Sequence, residues 1–340
     1  MAARLGLVLG SVLVTLLVAE LAANRLLMRE EITAFFTPFE HDDSTYATRS
    51  KDPDLLLTLA WYVPGATGIT GSAPVRINNL GLRDEHDYPL EKPAGCYRVL
   101  GLGDSMTFGK GVAAEDTFLA VLERRLKDHF PGRCIEILNA GMPNTNFYSQ
   151  WIHYRQSWRQ FSPDLVLVNF FVYNDIQLDT EEEPYFMRWM QFVDRNDWLK
   201  RSALVRWAYY RAFFDTGAEK VKEGLTRIYS PQYEGLDLFE DTLAEMKALV
   251  HSQGARLAFT LVPIPDGYDQ YPHRKYHDIL LDMLVRKFGI PTFDMIRGLG
   301  GVRARDHWVH PSDGHPDAYL HELMGQYLER AVPWQEWLGR

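Results

Sequence analysis

Apolar residues near the start of the chain run almost without interruption, whereas from residue 97 they alternate between short continuous runs and helical spacing. Arg98-Val99-Leu100-Gly101-Leu102 predicts a short buried strand. The segment Thr117 to Phe130 carries Phe118, Leu119, Val121, Leu122, Leu126 and Phe130 on one helical face. Cys134 to Leu138 predicts a second strand, Trp151 to Gln160 a helix, and Asp164 to Phe171 a third, largely apolar strand. Strand, helix, strand, helix, strand implies an α/β chain whose parallel sheet is covered on both faces. The pattern resumes with helices over Leu238 to Ser252 and His277 to Phe288, a strand over Arg256 to Val262, and a closing helix from Pro316 to Arg330.

Three stretches fall outside that alternation. Arg4 precedes Leu5 to Ala19, which are uncharged, and apolar character resumes at Leu21 after Glu20. Leu5 to Ala23 approaches the roughly 20 residues that span a bilayer, so residues 1–28 are expected to be an uncleaved signal-anchor, with a cleaved signal or a buried amphipathic helix as the other readings. Residues 29–95 mix charges, prolines and short apolar stretches, as in a connector with small β elements. Residues 176–236, crowded with aromatics from Tyr185 to Phe214, are either a helical layer packed on the core or a lid and acyl-binding wall. That leaves 96–332 as the main domain and 333–340 as a tail; no internal repeat is evident.

Composition narrows the possibilities. The 340 residues are 46% hydrophobic and 24% charged, enough to build a full core. Lysine and arginine total 36 against 45 aspartates and glutamates, a net charge of -9 that argues against a nucleic-acid partner. Two cysteines, Cys96 and Cys134, exclude a disulfide framework and a cysteine zinc site, while leaving one bridge open to an exported chain.

The chemistry concentrates where strands end. Gly101-Leu102-Gly103-Asp104-Ser105-Met106-Thr107-Phe108-Gly109 puts Ser105 at the carboxyl end of the first strand, the edge at which such sheets bind ligands. Taken alone, Ser105 reads equally as a helix cap. A dinucleotide loop is disfavoured, because Met106 fills the third glycine position and Asp104 would repel a pyrophosphate.

With its later motifs, the sequence resembles the SGNH hydrolases, or GDSL lipases and acylhydrolases, in which four blocks supply serine, glycine, asparagine and histidine to one site. Gly103-Asp104-Ser105 matches the first block, and Asn79-Leu80-Gly81-Leu82-Arg83 through Asp116-Thr117 is similar to that family's membrane-linked bacterial branch. The resemblance spans about 77–175 and 238–330 and implies a three-layer α/β/α core of flavodoxin-like character. It places the oxyanion donors at the backbone N–H of Ser105, the Asn174 amide in Tyr173-Asn174-Asp175, and a backbone N–H of Asn139-Ala140-Gly141-Met142-Pro143-Asn144. In that second block the family's glycine position holds Asn144, which tolerates left-handed backbone, with Gly141 as the alternative donor.

The last block, Asp306 to Asp317, offers His307, His310 and His315. The resemblance favours His315 as the base, from the register of His315-Pro316-Asp317-Ala318 before the final helix. The family's acid lies three residues earlier, at Ser312 here, so Asp313 is the expected acid and Asp306 the reserve. A metal site built from this cluster is the weaker reading, since no second ligand group accompanies it.

The expected function is therefore ester cleavage through an acyl-serine, without cofactor or metal, on a small-molecule or glycan ester, either acylated carbohydrate or lipid. Rivals are an O-acyltransferase of cell-surface polysaccharide and a degenerate binding or assembly protein, the latter motivated by Asn144 and Ser312. The anchor implies a bacterial inner-membrane location with the catalytic part in the periplasm or outside. Oligomeric state is not legible. If the sheet has flavodoxin-like order, Cys96 and Cys134 begin adjacent parallel strands and are close enough for a disulfide.

Overall fold

Four expected apolar runs and a fifth, shorter one pair in the computed structural model as a wholly parallel sheet. Its order is Thr292–Asp294, Arg256–Val262, Leu165–Phe171, Tyr97–Gly103, Ile135–Gly141. Counted along the chain this is 2-1-3-4-5, a doubly wound order. Residues 2–39, 41–42, 44–52, 57–177 and 185–339 are described. The chain divides into two compact units, one made of Phe39–Thr180 with Gly224–Arg340, the other of Met1–Pro38 with Glu181–Glu223.

Alternation along the strands builds the two layers of the larger unit. Val99, Ile137, Leu165, Leu167 and Ala258 face the Phe118–His129 and Ala318–Ala331 helices, burying Phe118, Leu122, Leu320 and Leu328. On the other face, the rings of Phe170 and Phe259 meet Phe147 and Phe239 from the Phe147–Gln156 and Glu234–Ser252 helices, with centroids 5.2–6.2 Å apart. Rings at such separations add directional attraction to their burial.

Capping explains where the helices begin. Thr117 accepts from Ala120 N–H and Asp317 from Leu320 N–H. Asn146 accepts from Ser149 N–H at 3.1 Å, which starts the next helix at Phe147 rather than at the expected Trp151. Residues expected as a tail form the Trp334–Leu338 helix, whose Trp334, Trp337 and Leu338 are buried with the first layer. Cys96 and Cys134 are joined by a disulfide, their Cα atoms 4.5 Å apart. The adjacent pair Tyr97 and Ile135 is in register, so the bridge closes the sheet edge at which these strands begin.

In the smaller unit, the aromatic insertion supplies its own core. Tyr209, Tyr210, Phe213 and Phe214 surround Phe35 with ring centroids 5.1–5.9 Å away. Ala2–Leu26 is one helix, and Glu20 accepts from Ser202 Oγ at 2.8 Å and from the Ala203 N–H. That carboxylate neutralises the exposed donors at the start of the Ala203–Arg211 helix. Val12, Leu13, Leu16 and Leu17 are exposed. Among the described residues no helix is long and apolar enough to cross a membrane. The described side chains of Ala2–Leu26 begin at Val8, and Glu20 and Arg25 interrupt the apolar run between there and Leu26.

Candidate active site

Three neighbouring strands deliver the recognised blocks to their carboxyl edge: Ser105 follows Tyr97–Gly103, Asn144 follows Ile135–Gly141, and Asn174 follows Leu165–Phe171. Asp104 caps the one-turn Ser105–Phe108 helix by accepting from Met106 N–H at 2.9 Å. That fixes the backbone around the serine before any partner is considered.

His315 Nε2 lies 2.7 Å from Ser105 Oγ. Its Nδ1 is bonded to Asp313 Oδ1, which also accepts from the His315 backbone N–H at 3.1 Å. Both residues lie on the Asp313–Pro316 strand, where positions two apart share a face. With Nδ1–H donated to the carboxylate, Nε2 is left as acceptor for the serine proton. Burial pushes the Asp313 carboxyl up, but the His315 hydrogen bond and the charges of His315 and Lys110 outweigh it and hold the group well below the usual carboxylate range.

The reserve residues have other partners. Asp306 is exposed and pairs with Arg303 at 2.8 Å. His307 pairs with Asp317 at 3.1 Å, and His310 Nδ1 lies 2.7 Å from Ser312 Oγ while its ring stacks on Phe39. His321 is buried, with Nδ1 accepting from Phe118 N–H at 3.1 Å, and burial pushes it down to about 3.

Asn144 has φ 59, the left-handed conformation expected of a glycine substitute. Gly141, the alternative donor, directs its N–H to Asn139 Oδ1 at 2.9 Å. That donor is already engaged, which leaves Asn144 as the second-block candidate. Asn174 Oδ1 and Asp104 Oδ2 are both buried without a hydrogen-bond partner.

Sequence reasoning passed over several charged groups. Burial pushes Asp104 up to about 6 and Asp175 well above the ordinary carboxylate value, and the two carboxyls repel one another. Asp175 accepts from Gln150 Nε2 at 3.0 Å and Phe171 N–H at 2.7 Å. Arg83, from the expected connector, is buried and donates to the carbonyls of Phe108, Gly109 and Val112 at 2.5–2.7 Å. Its one detectable signal was a charged residue ending an otherwise apolar Leu80-Gly81-Leu82 turn. Among the described residues one group could share a metal ion, Cys96, Cys134 and Glu136, and the disulfide engages both sulfurs.

No family model matches this chain, and no curated protein matches it. Several solved structures align with it. A protein assigned to the lipolytic G-D-S-L family from Desulfitobacterium hafniense is 16% identical, covering 69% of this chain and 99% of that one, with a TM-score of 0.42. An acetylxylan esterase from Geobacillus stearothermophilus is 15% identical, covering 71% and 95%, with a TM-score of 0.43. An alpha/beta hydrolase enzyme from the metagenome of Lake Arreo, Spain, is 14% identical, covering 72% and 95%, with a TM-score of 0.41. These are distant likenesses.

Proposed function

We propose that this protein is a serine esterase of the SGNH type, cleaving a carboxylic ester through an acyl-Ser105 intermediate. The carrying observation is the continuous contact from Ser105 Oγ through His315 to Asp313 at the carboxyl edge of the sheet. In the reaction His315 Nε2 takes the Ser105 proton as Oγ attacks the ester carbonyl carbon. The tetrahedral oxyanion is held by the backbone N–H groups of Ser105 and Asn144 and by the Asn174 amide. Collapse expels the alcohol, which receives its proton from His315. A water activated by the same imidazole then attacks the acyl carbon and frees the acid and Ser105.

The two departures that favoured a degenerate site are both accommodated. Asn144 has the left-handed backbone a glycine would adopt, and Asp313 contacts the base although Ser312 occupies the family position. We further propose that the hydrophobic N-terminal segment anchors the protein in a bacterial inner membrane with the catalytic unit outside the cytoplasm. The uncharged Leu5 to Ala19 run and the Cys96–Cys134 disulfide, a bond that persists in oxidising compartments, support this reading. The substrate is proposed to be an acylated carbohydrate or lipid. Labelling with a fluorophosphonate probe tests the assignment: the wild-type chain should be modified at Ser105 and Ser105→Ala should not, whereas equal labelling of both would refute it.

A further inference from the structure

Lys110 Nζ lies 2.8 Å from Asp313 Oδ2, with only 19% and 13% of the two side chains exposed. Asp313 Oδ1 is bound by His315, so each carboxylate oxygen has its own partner. Lys110 does not reach the site from a loose chain. Its N–H donates to the Ser105 carbonyl at 3.1 Å, and Gly109 and Gly111 on either side have φ 80 and 87, which folds the turn back on the serine. Arg83 holds the same turn through the carbonyls of Phe108, Gly109 and Val112. The ammonium is delivered by a braced segment.

The acid is also displaced by one residue from the position the resemblance implies. Ser312 stands there, with its hydroxyl engaged by His310. An acid two residues from its histidine on one strand reaches the ring through one oxygen and leaves the other facing out, where Lys110 meets it.

We propose that Lys110 is a positioning residue of the triad, holding Asp313 Oδ2 and, as a fixed positive charge beside the pair, extending ester cleavage to lower pH than the carboxylate alone would allow. The inference rests on the esterase reading. A carboxylate against imidazole favours imidazolium, and a cation on its far oxygen opposes that. Among the described residues, the other ionisable groups around the pair are Asp104 at the end of the first strand, His310 on the Trp308–His310 strand that pairs with Asp313–Pro316, and His321 on the closing helix. Asp104 favours the imidazolium only where it is ionised, and burial raises it to about 6. Burial lowers the pKa of both His310 and His321, which leaves Lys110 as the fixed cation acting on Asp313.

The test is the pH dependence of kcat/KM on a neutral chromogenic acetate ester, using the full chain with Ser105→Ala as the blank. Lys110→Gln keeps a donor for Oδ2 and removes the charge, so its acidic limb should move up by about 0.5–1 pH unit, while Lys110→Arg stays within about 0.2 unit of wild type. KM should be unchanged in both. A Lys110→Gln limb that stays in place overturns the proposal, whatever happens to the plateau, as does an equal shift in Lys110→Arg. If Lys110→Gln does not fold, Lys110→Met read by the same limb replaces it. Ester turnover surviving in Ser105→Ala would instead refute the esterase reading, a distinct failure.

Discussion

His315 Nε2 and Ser105 Oγ stand 2.7 Å apart although 210 residues separate them in sequence. The fold places the Asp313–Pro316 strand against the start of the serine helix, so imidazole and hydroxyl meet directly. His315→Ala should therefore match Ser105→Ala, each lowering kcat by on the order of 10^4-fold or more, because members of a triad act as a unit. His310→Ala should lose far less, since that ring faces Ser312 and Phe39. Steady-state kinetics on a short-chain ester decides it. The reverse ranking would move the base to His310.

At the second block the backbone angle makes the prediction. Asn144→Gly should keep near-wild-type turnover because φ 59 is freely available to glycine, whereas Asn144→Val forces a β-branched residue into that region. Displacing this N–H should lower kcat by roughly 100-fold, and Asn174→Ala by roughly 100 to 1,000-fold, with KM nearly unchanged. Full turnover in Asn144→Val would remove residue 144 from the oxyanion hole.

Much of this was legible from the chain. Strands such as Leu165–Phe171 and Arg256–Val262 announce themselves because a strand buried on both faces is mostly apolar, and their buried Asn169 and Thr260 are accommodated by hydrogen-bonding one another. The Ser105, Asn144, Asn174 and His315 blocks were readable through their resemblance to the SGNH motifs, each lying after a strand or before a capped helix. Thr292–Asp294 was not, being three residues long after Pro291, too short to show a period. The partners of Lys110 and Arg83 were hidden for a different reason. Their contacts are made across the sequence to a carboxylate and to backbone carbonyls, and no local pattern encodes those. The aromatic insertion gave its composition but not its destination, because rings that pack on Phe35 and rings that line a pocket look alike in sequence.

The disulfide supplies a stability test. Its loop of 38 residues is worth about 3–4 kcal/mol in the chain-entropy account. Cys96→Ser/Cys134→Ser should lower the urea midpoint accordingly and leave kcat/KM unchanged, because the bridge lies at the sheet edge away from Ser105. A loss of activity in the folded double variant would contradict that separation.

The buried carboxyl beside the nucleophile makes stability depend on pH. Asp104 is raised from 3.8 to about 6 by burial, so the native state holds its proton more tightly than the unfolded chain. Such a group contributes stability that is fully present below 3.8 and lost as pH rises through about 6. Urea midpoints should therefore fall across that window in the wild type, and fall less in Asp104→Asn. Identical slopes for the two proteins would show that Asp104 ionises in the native state as freely as in the unfolded one.

The central claim is that Ser105 carries the acyl group. The most direct measurement is peptide mass analysis of the full chain, acid-quenched during turnover of an activated acetate ester. The account predicts an acetyl adduct on the peptide containing Ser105, absent in Ser105→Ala and accumulating in variants that slow deacylation. Ester turnover without any adduct on that peptide, or an adduct that persists in Ser105→Ala, would contradict it.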